Sequence, residues 1–368
     1  MGMNVLLLND RLHGGGAERI LQLAAADLSS RGHRVTILAP EGNREELRDH
    51  YPQGVRFLRL PFWEESGPRF SPGRLLMRLG RALSAALLRL RRWDRVIAMK
   101  EGPAMRLAAG LRAEKKLAWV HTDFLTLHWS RFSFRSNEEE RRCMARFHRV
   151  VCVSETVRRG ILETVGDPGN LQLLYNPIDE ASVREKARAA VDDAPAAGDG
   201  PLLAAVGRLD KGKRFDLLLD VCRDLHRDRL FSLWIIGDGE ELETLRKQSA
   251  DLPFVRLLGR KDNPYPYIAR ADWLVSASES ESYGLIVQEA LILGVPVVAC
   301  ACGGVKESLD PRFGLLTGLD RDALREGLAR VLSDPGQRER YRAAIRSGYR
   351  REELWEPRLE QLRALIEG

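Results

Sequence analysis

This chain of 368 residues has few cysteines, no long apolar stretch and little excess of either charge. Its five cysteines show neither CxxC nor Cys/His spacing, so neither a disulfide framework nor a zinc site is indicated. No apolar run approaches the roughly 20 residues that a membrane span needs. The formal net charge is only +6, from 58 basic and 52 acidic side chains, so a nucleic-acid partner is not expected.

The remaining composition, 44% hydrophobic and 30% charged, is typical of a globular protein, and the length favours two domains. Short apolar runs alternate with amphipathic stretches of helical length, beginning at 4–8, 17–31 and 34–38, which predicts mostly parallel sheets covered on both faces. The alternation stops in the Ala-, Asp-, Pro- and Gly-rich stretch 189–201 and then resumes. Further strands are predicted at 55–60, 95–99, 117–120, 150–153, 202–206, 230–236, 255–258, 273–276 and 295–299.

We therefore predict an α/β protein with two Rossmann-like doubly wound domains facing a cleft. The first domain spans residues 1–178 and the second residues 179–350. Residues 351–368 form a C-terminal helix that packs back toward the N-terminal domain. The scattered cysteines and the short N-terminal apolar stretch, which lacks the features of a signal peptide, predict a cytoplasmic location.

Two loops carry glycines or basic residues where a strand passes into a helix. Gly15 and Gly16 follow the first strand, and glycines there let the backbone approach a diphosphate at a helix N-terminus. Arg19 occupies the position of the third glycine of a dinucleotide-binding GxGxxG motif, which disfavours a dehydrogenase. In the second domain, residues 208–214 hold four basic side chains that a phosphate-bearing ligand would neutralise. An ordinary turn and a solvated loop remain the alternatives.

The stretch 278–290 is the most informative one. Glu281 and Glu289 are eight residues apart, and Gly284 separates a loop from a predicted helix. The backbone N–H groups of Leu285 and Ile286 would then be available to bind a diphosphate. Glu289 would accept hydrogen bonds from ribose hydroxyls, and Glu281 would lie near a sugar. A cap of the helix start is the alternative role for Glu281.

Together these stretches resemble the retaining glycosyltransferases of the GT-B fold, glycosyltransferase family 4. The resemblance spans nearly the whole chain and depends on the order and spacing of several short motifs. The motifs are Gly15-Gly16-Ala17-Glu18, Trp119-Val120-His121-Thr122-Asp123, Val153-Ser154-Glu155, Asn176-Pro177-Ile178-Asp179, the Gly207–Lys213 loop, Gly237-Asp238-Gly239 and the Glu281/Glu289 pair. Arg214, where many members have glycine, and Tyr283, where phenylalanine is commoner, depart from the pattern.

The resemblance implies an acceptor-binding N-terminal domain, a nucleotide-sugar-binding C-terminal domain and a role for each matching residue. Arg208 and Lys213 would hold the donor diphosphate and stabilise the leaving group, so neither a metal nor a cofactor is expected. The diphosphate would also meet the backbone of Gly15, Gly16, Gly284, Leu285 and Ile286. Glu289 would bind the ribose and Glu281 the sugar. His121 would lie over the sugar, unless it is an ordinary core histidine.

A basic stretch lies between residues 69 and 95, where eight arginines and one aspartate give a net charge of +7. Helical spacing puts Arg74, Arg78 and Arg81 in one band and leucines, among them Leu83, Leu87 and Leu90, on the other side. Such a helix could bind anionic lipid headgroups at the inner face of the cell membrane, or the pyrophosphate of a lipid-linked acceptor. A soluble helix that buries its leucines in the core is the alternative.

The function predicted from these features is transfer of a hexose or N-acetylhexosamine from a nucleotide-diphosphate sugar to a glycan or lipid-linked saccharide. The pathway would be cell-surface polysaccharide, lipopolysaccharide or glycoprotein-glycan assembly. UDP is favoured over GDP as the nucleotide by the resemblance. A GT-B-type nucleotide-sugar epimerase is the first alternative, and a non-enzymatic protein that binds anionic ligands is the second.

Overall fold

The computed structural model divides the chain into two compact units. The first unit contains residues 1–177 and 359–368, and the second contains residues 178–358. The structure describes residues 2–10, 12, 15–39, 50–58, 83, 86–191, 193, 198–349 and 355–368. The predicted arginines Arg74, Arg78 and Arg81 lie outside these residues.

The first unit is built on a seven-stranded sheet in the order β3-β2-β1-β4-β5-β6-β7, with every neighbouring pair parallel. Most of its strands are buried along their length, as expected for a parallel sheet with helices on both faces. The strands are β1 (Asn4–Leu8), β2 (Arg34–Leu38), β3 (Arg56–Leu58), β4 (Arg92–Ala98), β5 (Arg112–Val120), β6 (Arg149–Cys152) and β7 (Leu171–Leu173). The helices are α1 (Gly16–Ser30), α2 (Pro103–Ala109), α3 (Asn137–Met144) and α4 (Glu155–Thr164).

The second unit repeats this design with a six-stranded parallel sheet in the order β10-β9-β8-β11-β12-β13. Buried apolar residues fill both faces of the sheet. Its strands are β8 (Leu202–Val206), β9 (Ser232–Ile236), β10 (Val255–Gly259), β11 (Trp273–Ser276), β12 (Val297–Cys300) and β13 (Gly314–Thr317). Its helices are α5 (Glu180–Lys186), α6 (Phe215–Leu225), α7 (Leu242–Gln248), α8 (Tyr265–Arg270), α9 (Leu285–Ile292), α10 (Val305–Ser308), α11 (Arg321–Ser333) and α12 (Pro335–Gly348).

The last helix, α13 (Trp355–Glu367), has residues in both units, and its end packs within the first. The Glu367 carboxylate accepts two hydrogen bonds from Arg31, at 2.6 and 2.8 Å. Arg95 donates to the carbonyl oxygen of Ile366 at 2.5 Å, and Arg363 pairs with Asp27 at 2.6 Å. These contacts fix the C-terminal residues against α1 and β4.

Close backbone packing explains why the Gly237-Asp238-Gly239 motif has glycine at both of its ends. A Cβ atom at Gly237 would lie 1.8 Å from the carbonyl oxygen of Gly207, and one at Gly239 would lie 2.4 Å from that of Leu209. The backbone of this turn therefore packs directly on the loop that follows β8, and the hydrogen bond from Leu209 N–H to the Asp238 carbonyl, 2.9 Å, joins the two. Only glycine permits this approach.

The predicted fold class of two Rossmann-like α/β domains is confirmed by the two parallel sheets. All five cysteines are free and buried, in agreement with the absence of a disulfide framework. Strands β7 and β13 were not predicted.

Of the predicted basic stretch 69–95, Arg92 already belongs to β4. Leu83, Leu87 and Leu90, which the alternative of a soluble core helix would bury, are 62%, 56% and 74% exposed.

Candidate active site

The strand order of the second unit brings two loops together. The chain runs from β8 through β9 and β10 on one side, then crosses to β11 on the other side of β8. Because β8 and β11 are parallel neighbours, the loops that follow them begin at the same edge of the sheet. The N–H of Glu279, after β11, donates to the carbonyl of Gly212, after β8, at 3.0 Å. Such a reversal of strand order is where open α/β sheets bind ligands.

The loop after β8 is shaped by its own side chains. Asp210 accepts a hydrogen bond from the backbone N–H of Lys213 at 3.2 Å and caps the short 3-10 turn of residues 211–213. Arg208 is 77% exposed and pairs with the same aspartate at 2.5 Å. Arg214 adopts a left-handed conformation with φ 53°. This explains why glycine would suit position 214, since other residues are strained there.

Lys213 and Glu281 form the central contact between the two loops. The ammonium nitrogen lies 2.5 Å from Oε1 of Glu281, and both side chains are mostly buried. The hydroxyl of Ser278 donates to the same carboxylate oxygen at 2.9 Å. The backbone carbonyl of Glu281 accepts from Gly304 at 2.8 Å, which fixes the residue from a third side. Glu281 is therefore held by its partners and does not cap α9.

The helix α9 begins directly after this pair. Its N-cap, Gly284, has the left-handed φ of 75° that glycine tolerates best. The N–H of Val287 bonds to the Gly284 carbonyl at 3.0 Å. Within the described residues, the N–H groups of Leu285 and Ile286 donate to no protein acceptor. An anion can accept hydrogen bonds from such groups, and the helix dipole stabilises it there.

Glu289 lies one turn further along α9 and is only 1% exposed. The hydroxyl of Tyr265, at the start of α8, donates to its Oε1 at 3.1 Å. Tyr265 was not identified from the sequence. The adjoining Asn263-Pro264 stretch starts a helix, with the Asn263 side chain accepting from the Tyr265 N–H at 3.3 Å, but nothing in it indicates a tyrosine directed at Glu289.

Gly15 and Gly16, the two glycines predicted in the first unit, lie at the start of α1. Gly15 is the N-cap of α1, its φ is 138°, and it has open space around the position of a Cβ atom. Gly16 is the first residue of the helix, and both glycines are exposed. The arrangement leaves room for a ligand to approach the backbone.

His121 follows β5 and is tied to a buried carboxylate that the sequence analysis missed. Glu101, which follows β4, is fully buried and accepts from the His121 N–H at 2.8 Å. The same carboxylate accepts from the hydroxyl of Thr122 and from Nε1 of Trp129, at 2.7 Å. The sequence signal that could have located Glu101 is the glycine that follows it at the strand end. Gly102 has a φ of 85° and packs on Trp129, and both features favour glycine at this position.

The electrostatics of this pair favour a neutral histidine beside a charged carboxylate. Burial lowers the pKa of His121, and the attraction of Glu101 only partly offsets it. Burial works to raise the pKa of Glu101, but the attraction of His121 when it is protonated, the charge of Lys100 and the donated hydrogen bonds together hold that pKa below its ordinary value. Within the part of the chain that the structure describes, the His121 Nε2 atom is inaccessible and has no hydrogen-bond partner.

The structure thus brings Lys213, Glu281 and the start of α9 together within the second unit, with Glu289 further along the same helix. Arg208 belongs to the same loop as Lys213 and is turned to Asp210. In the part of the chain that is described, no three His, Cys, Asp or Glu side chains converge on a position for a metal ion. Among the same described residues, no helix is both long enough and apolar enough to cross a bilayer.

Both units match known protein families. Residues 14–182 match the family described as Glycosyltransferase Family 4, and residues 187–348 match Glycosyl transferases group 1. HepE of Anabaena, in a crystal structure with UDP and glucose, superposes with a TM-score of 0.76 over 99% of both chains, at 18% identity. The chain has the GT-B fold.

Curated relatives are also glycosyltransferases. An N-acetylgalactosaminyltransferase of Campylobacter jejuni, whose name specifies an undecaprenol-diphosphate-linked acceptor, is 32% identical over 48% of each chain. The phosphatidyl-myo-inositol mannosyltransferase of Mycobacterium tuberculosis is 29% identical over 92% of this chain and 89% of its own. The chain spans only about half of the Campylobacter relative's length, and about half or less of two further curated relatives.

Proposed function

We propose that the chain transfers a hexose or N-acetylhexosamine from a UDP-sugar to a glycan or lipid-linked saccharide acceptor, with retention of the anomeric configuration. The observation that carries this proposal is the Lys213–Glu281 pair beside the N-terminus of α9, in the unit that matches the group 1 glycosyltransferases. A cation, two donor N–H groups and a carboxylate within one loop cluster suit a diphosphate joined to a sugar.

In the proposed mechanism the diphosphate accepts hydrogen bonds from Leu285 and Ile286 and binds Lys213 and Arg208. Negative charge grows on the departing nucleotide as the glycosidic bond breaks, so these groups stabilise the transition state more than the ground state. We therefore propose that transfer needs no metal ion. Activity that persists in excess EDTA is the expected result, and its loss with recovery on Mg²⁺ would contradict this part.

Glu289 is proposed to bind the ribose. Its carboxylate is buried, and the hydrogen bond from Tyr265 limits the orientations that it can take. Gly15 and Gly16 would approach the phosphates through their backbone.

Glu281 and His121 are proposed to act on the sugar. Glu281 would bind a sugar hydroxyl, and His121, neutral because burial lowers its pKa, would lie over the sugar. The acceptor hydroxyl would lose its proton to the departing phosphate, on the face from which the nucleotide leaves.

The donor and acceptor classes are supported by the relatives. HepE was crystallised with UDP-glucose, and the Campylobacter relative is named for an undecaprenol-linked acceptor. A further relative, from Corynebacterium glutamicum, is named as GDP-mannose-dependent, which makes GDP-sugars the second donor class. We place the reaction in the cytoplasm, where five free, buried thiols are stable.

Proton NMR of donor turnover tests the proposal. The protein is incubated with UDP-glucose, UDP-galactose, UDP-N-acetylglucosamine, UDP-N-acetylgalactosamine and GDP-mannose, each with and without a polyprenyl-diphosphate-linked saccharide. The expected result is an α-linked product from one UDP-sugar, together with slow release of the α-anomer of the free sugar when acceptor is absent. A β-linked product would contradict retention. Conversion to a 2-epimer without acceptor would show the epimerase alternative.

A further inference from the structure

Tyr283 stands directly before Gly284, the N-cap of α9, at a position where phenylalanine is commoner. Its side chain is buried, with 3% exposure. Arg358 donates a hydrogen bond from Nη1 to the phenolic oxygen at 2.6 Å. Burying a hydroxyl group costs free energy unless the group is hydrogen-bonded. The oxygen that distinguishes Tyr283 from a phenylalanine is therefore used in a contact with Arg358.

Arg358 is held in place by two aromatic rings. It lies on α13 and belongs to the second unit, as Tyr283 does. Its guanidinium carbon lies 5.6 Å from the centre of the Tyr283 ring and 4.8 Å from the centre of the Trp355 ring. Trp355, which is buried, precedes Arg358 by three residues on the same helix. Because such cation–π contacts stabilise one position of the side chain, the donor is oriented before any ligand binds.

The backbone of the same loop lies directly on the turn that follows β12. A Cβ atom at Gly304 would lie 2.1 Å from the carbonyl oxygen of Ser282 and 2.6 Å from the Cα atom of Tyr283. The N–H of Gly304 donates to the Glu281 carbonyl at 2.8 Å. The backbone of residues 281–283 is therefore fixed at Gly304, and the side chain of Tyr283 adds a second attachment at Arg358.

The first N–H groups of α9 follow these attachments within three residues. Leu285 and Ile286 are two and three positions after Tyr283, and they are joined to it through Gly284, whose φ is 75°. Glycine has more backbone freedom than any other residue. The direction of the two N–H groups therefore depends on how firmly Tyr283 is held.

Further along α9, a separate polar contact anchors the helix itself. Gln288 is 3% exposed and accepts a hydrogen bond from the hydroxyl of Tyr349 at 2.7 Å. Its amide group donates to the carbonyl of Ser308. These contacts do not involve Tyr283, so loss of the Tyr283 contact is expected to loosen only the start of α9.

We propose that Tyr283, held by Arg358, is a positioning residue that directs the N–H groups of Leu285 and Ile286 toward the diphosphate. This inference rests on the proposed function, in which those N–H groups bind the diphosphate. Tyr283 acts through the backbone and not by contact with the ligand. Donors that are already aligned need no reorganisation when the ligand binds, and this raises the affinity.

Hydrogen exchange of the ligand-free full chain, followed by mass spectrometry, measures the positioning directly. In Tyr283→Phe, the amides in the first turn of α9 should exchange about tenfold faster than in wild type, the size expected for losing one hydrogen bond from a charged donor. The amides of β9 should exchange at the wild-type rate. The matched control is Tyr267→Phe, which removes a hydroxyl that is hydrogen-bonded to Asp193 and should leave α9 unchanged.

Calorimetric titration of UDP shows whether the positioning serves the diphosphate. The variants are compared at a temperature where circular dichroism shows each of them to be folded, so that a loss of stability does not alter the affinity. Tyr283→Phe and Arg358→Met should each bind UDP about three- to tenfold more weakly than wild type. The double variant should bind no more weakly than either one, because both remove the same contact. Arg358→Lys, which keeps a donor, should bind UDP more tightly than Arg358→Met.

The two measurements separate failure of the inference from failure of the proposed function. Exchange of α9 at the wild-type rate in Tyr283→Phe would overturn the inference, and so would losses of UDP affinity that add in the double variant. Faster exchange throughout the second unit would overturn it as well, because that result shows general destabilisation. A wild type that binds neither UDP nor GDP would overturn the proposed function, and the role of Tyr283 toward a diphosphate with it.

Discussion

Replacing Lys213 by methionine tests the two roles of the Lys213–Glu281 pair. The variant Lys213→Met keeps most of the side-chain volume and removes the charge. Glu281, 15% exposed, would then keep Ser278 as its hydrogen-bond donor but lose the ammonium group. We expect the second unit to lose roughly 1–2 kcal/mol, between the values for exposed and for fully buried pairs, because a quarter of the Lys213 side chain is solvated.

A double-mutant cycle separates the interaction energy of the Lys213–Glu281 pair from the effects of losing each side chain alone. Lys213→Met and Glu281→Gln should each destabilise the unit, and the double variant should be more stable than the sum predicts by about 1–2 kcal/mol. Chemical denaturation followed by circular dichroism measures the four free energies. A coupling within about 0.3 kcal/mol of zero would refute the pairing.

The same variants separate stability from ligand binding. Lys213→Met should weaken UDP about 10- to 100-fold, the value of a charge-assisted hydrogen bond to phosphate. Glu281→Gln should bind UDP at least as well as wild type, because it removes a negative charge beside the diphosphate. Lys211→Met is the matched control, since Lys211 is an exposed lysine of the same loop and should leave both measurements nearly unchanged. Unchanged UDP affinity in Lys213→Met would refute its phosphate role.

Three further predictions concern stability. Gly237→Ala should lose at least about 2 kcal/mol in denaturation, since its Cβ would lie 1.8 Å from the Gly207 carbonyl oxygen; a loss below 0.5 kcal/mol would contradict this packing. Arg214→Gly should be about 1 kcal/mol more stable than Arg214→Ala, because both lose the side chain and only glycine relieves the left-handed conformation; equal stabilities would contradict it. The hydrogen bond from Arg31 lowers the pKa of Glu367 to about 2, so its contribution is complete above pH 4.5 and is lost as the pH falls toward 2. The melting temperature of Glu367→Gln should therefore lie below that of wild type at pH 7 and approach it by pH 2.5, and a constant difference would contradict the linkage.

Much of the fold could be predicted from local pattern. Each buried parallel strand is a short apolar run, and each helix between them has the spacing of a covered face, so the alternation of the two units is visible in the sequence. The roles proposed for Glu281 and Glu289 depended on Gly284, whose position between loop and helix is also a local feature. These predictions needed no knowledge of strand order.

The contacts that depend on strand order could not be predicted. Lys213 meets Glu281, 68 residues away, only because β11 crosses to lie beside β8. Glu101 likewise meets His121 because β5 lies beside β4. Helical spacing placed Leu87 and Leu90 on one face correctly, but spacing alone does not say whether a face is covered by the core, and here it is exposed.

Calorimetric titration of UDP into the full chain tests the central claim most directly, namely that the second unit binds a nucleoside diphosphate at the start of α9. The account predicts one site for UDP, much weaker binding of uridine, and a loss of affinity of at least about tenfold in Glu289→Gln. The control Glu243→Gln, in the exposed first turn of α7, should bind UDP as wild type does. Equal binding of UDP by Glu289→Gln and wild type, or no binding of UDP or GDP at millimolar concentration, would contradict the account.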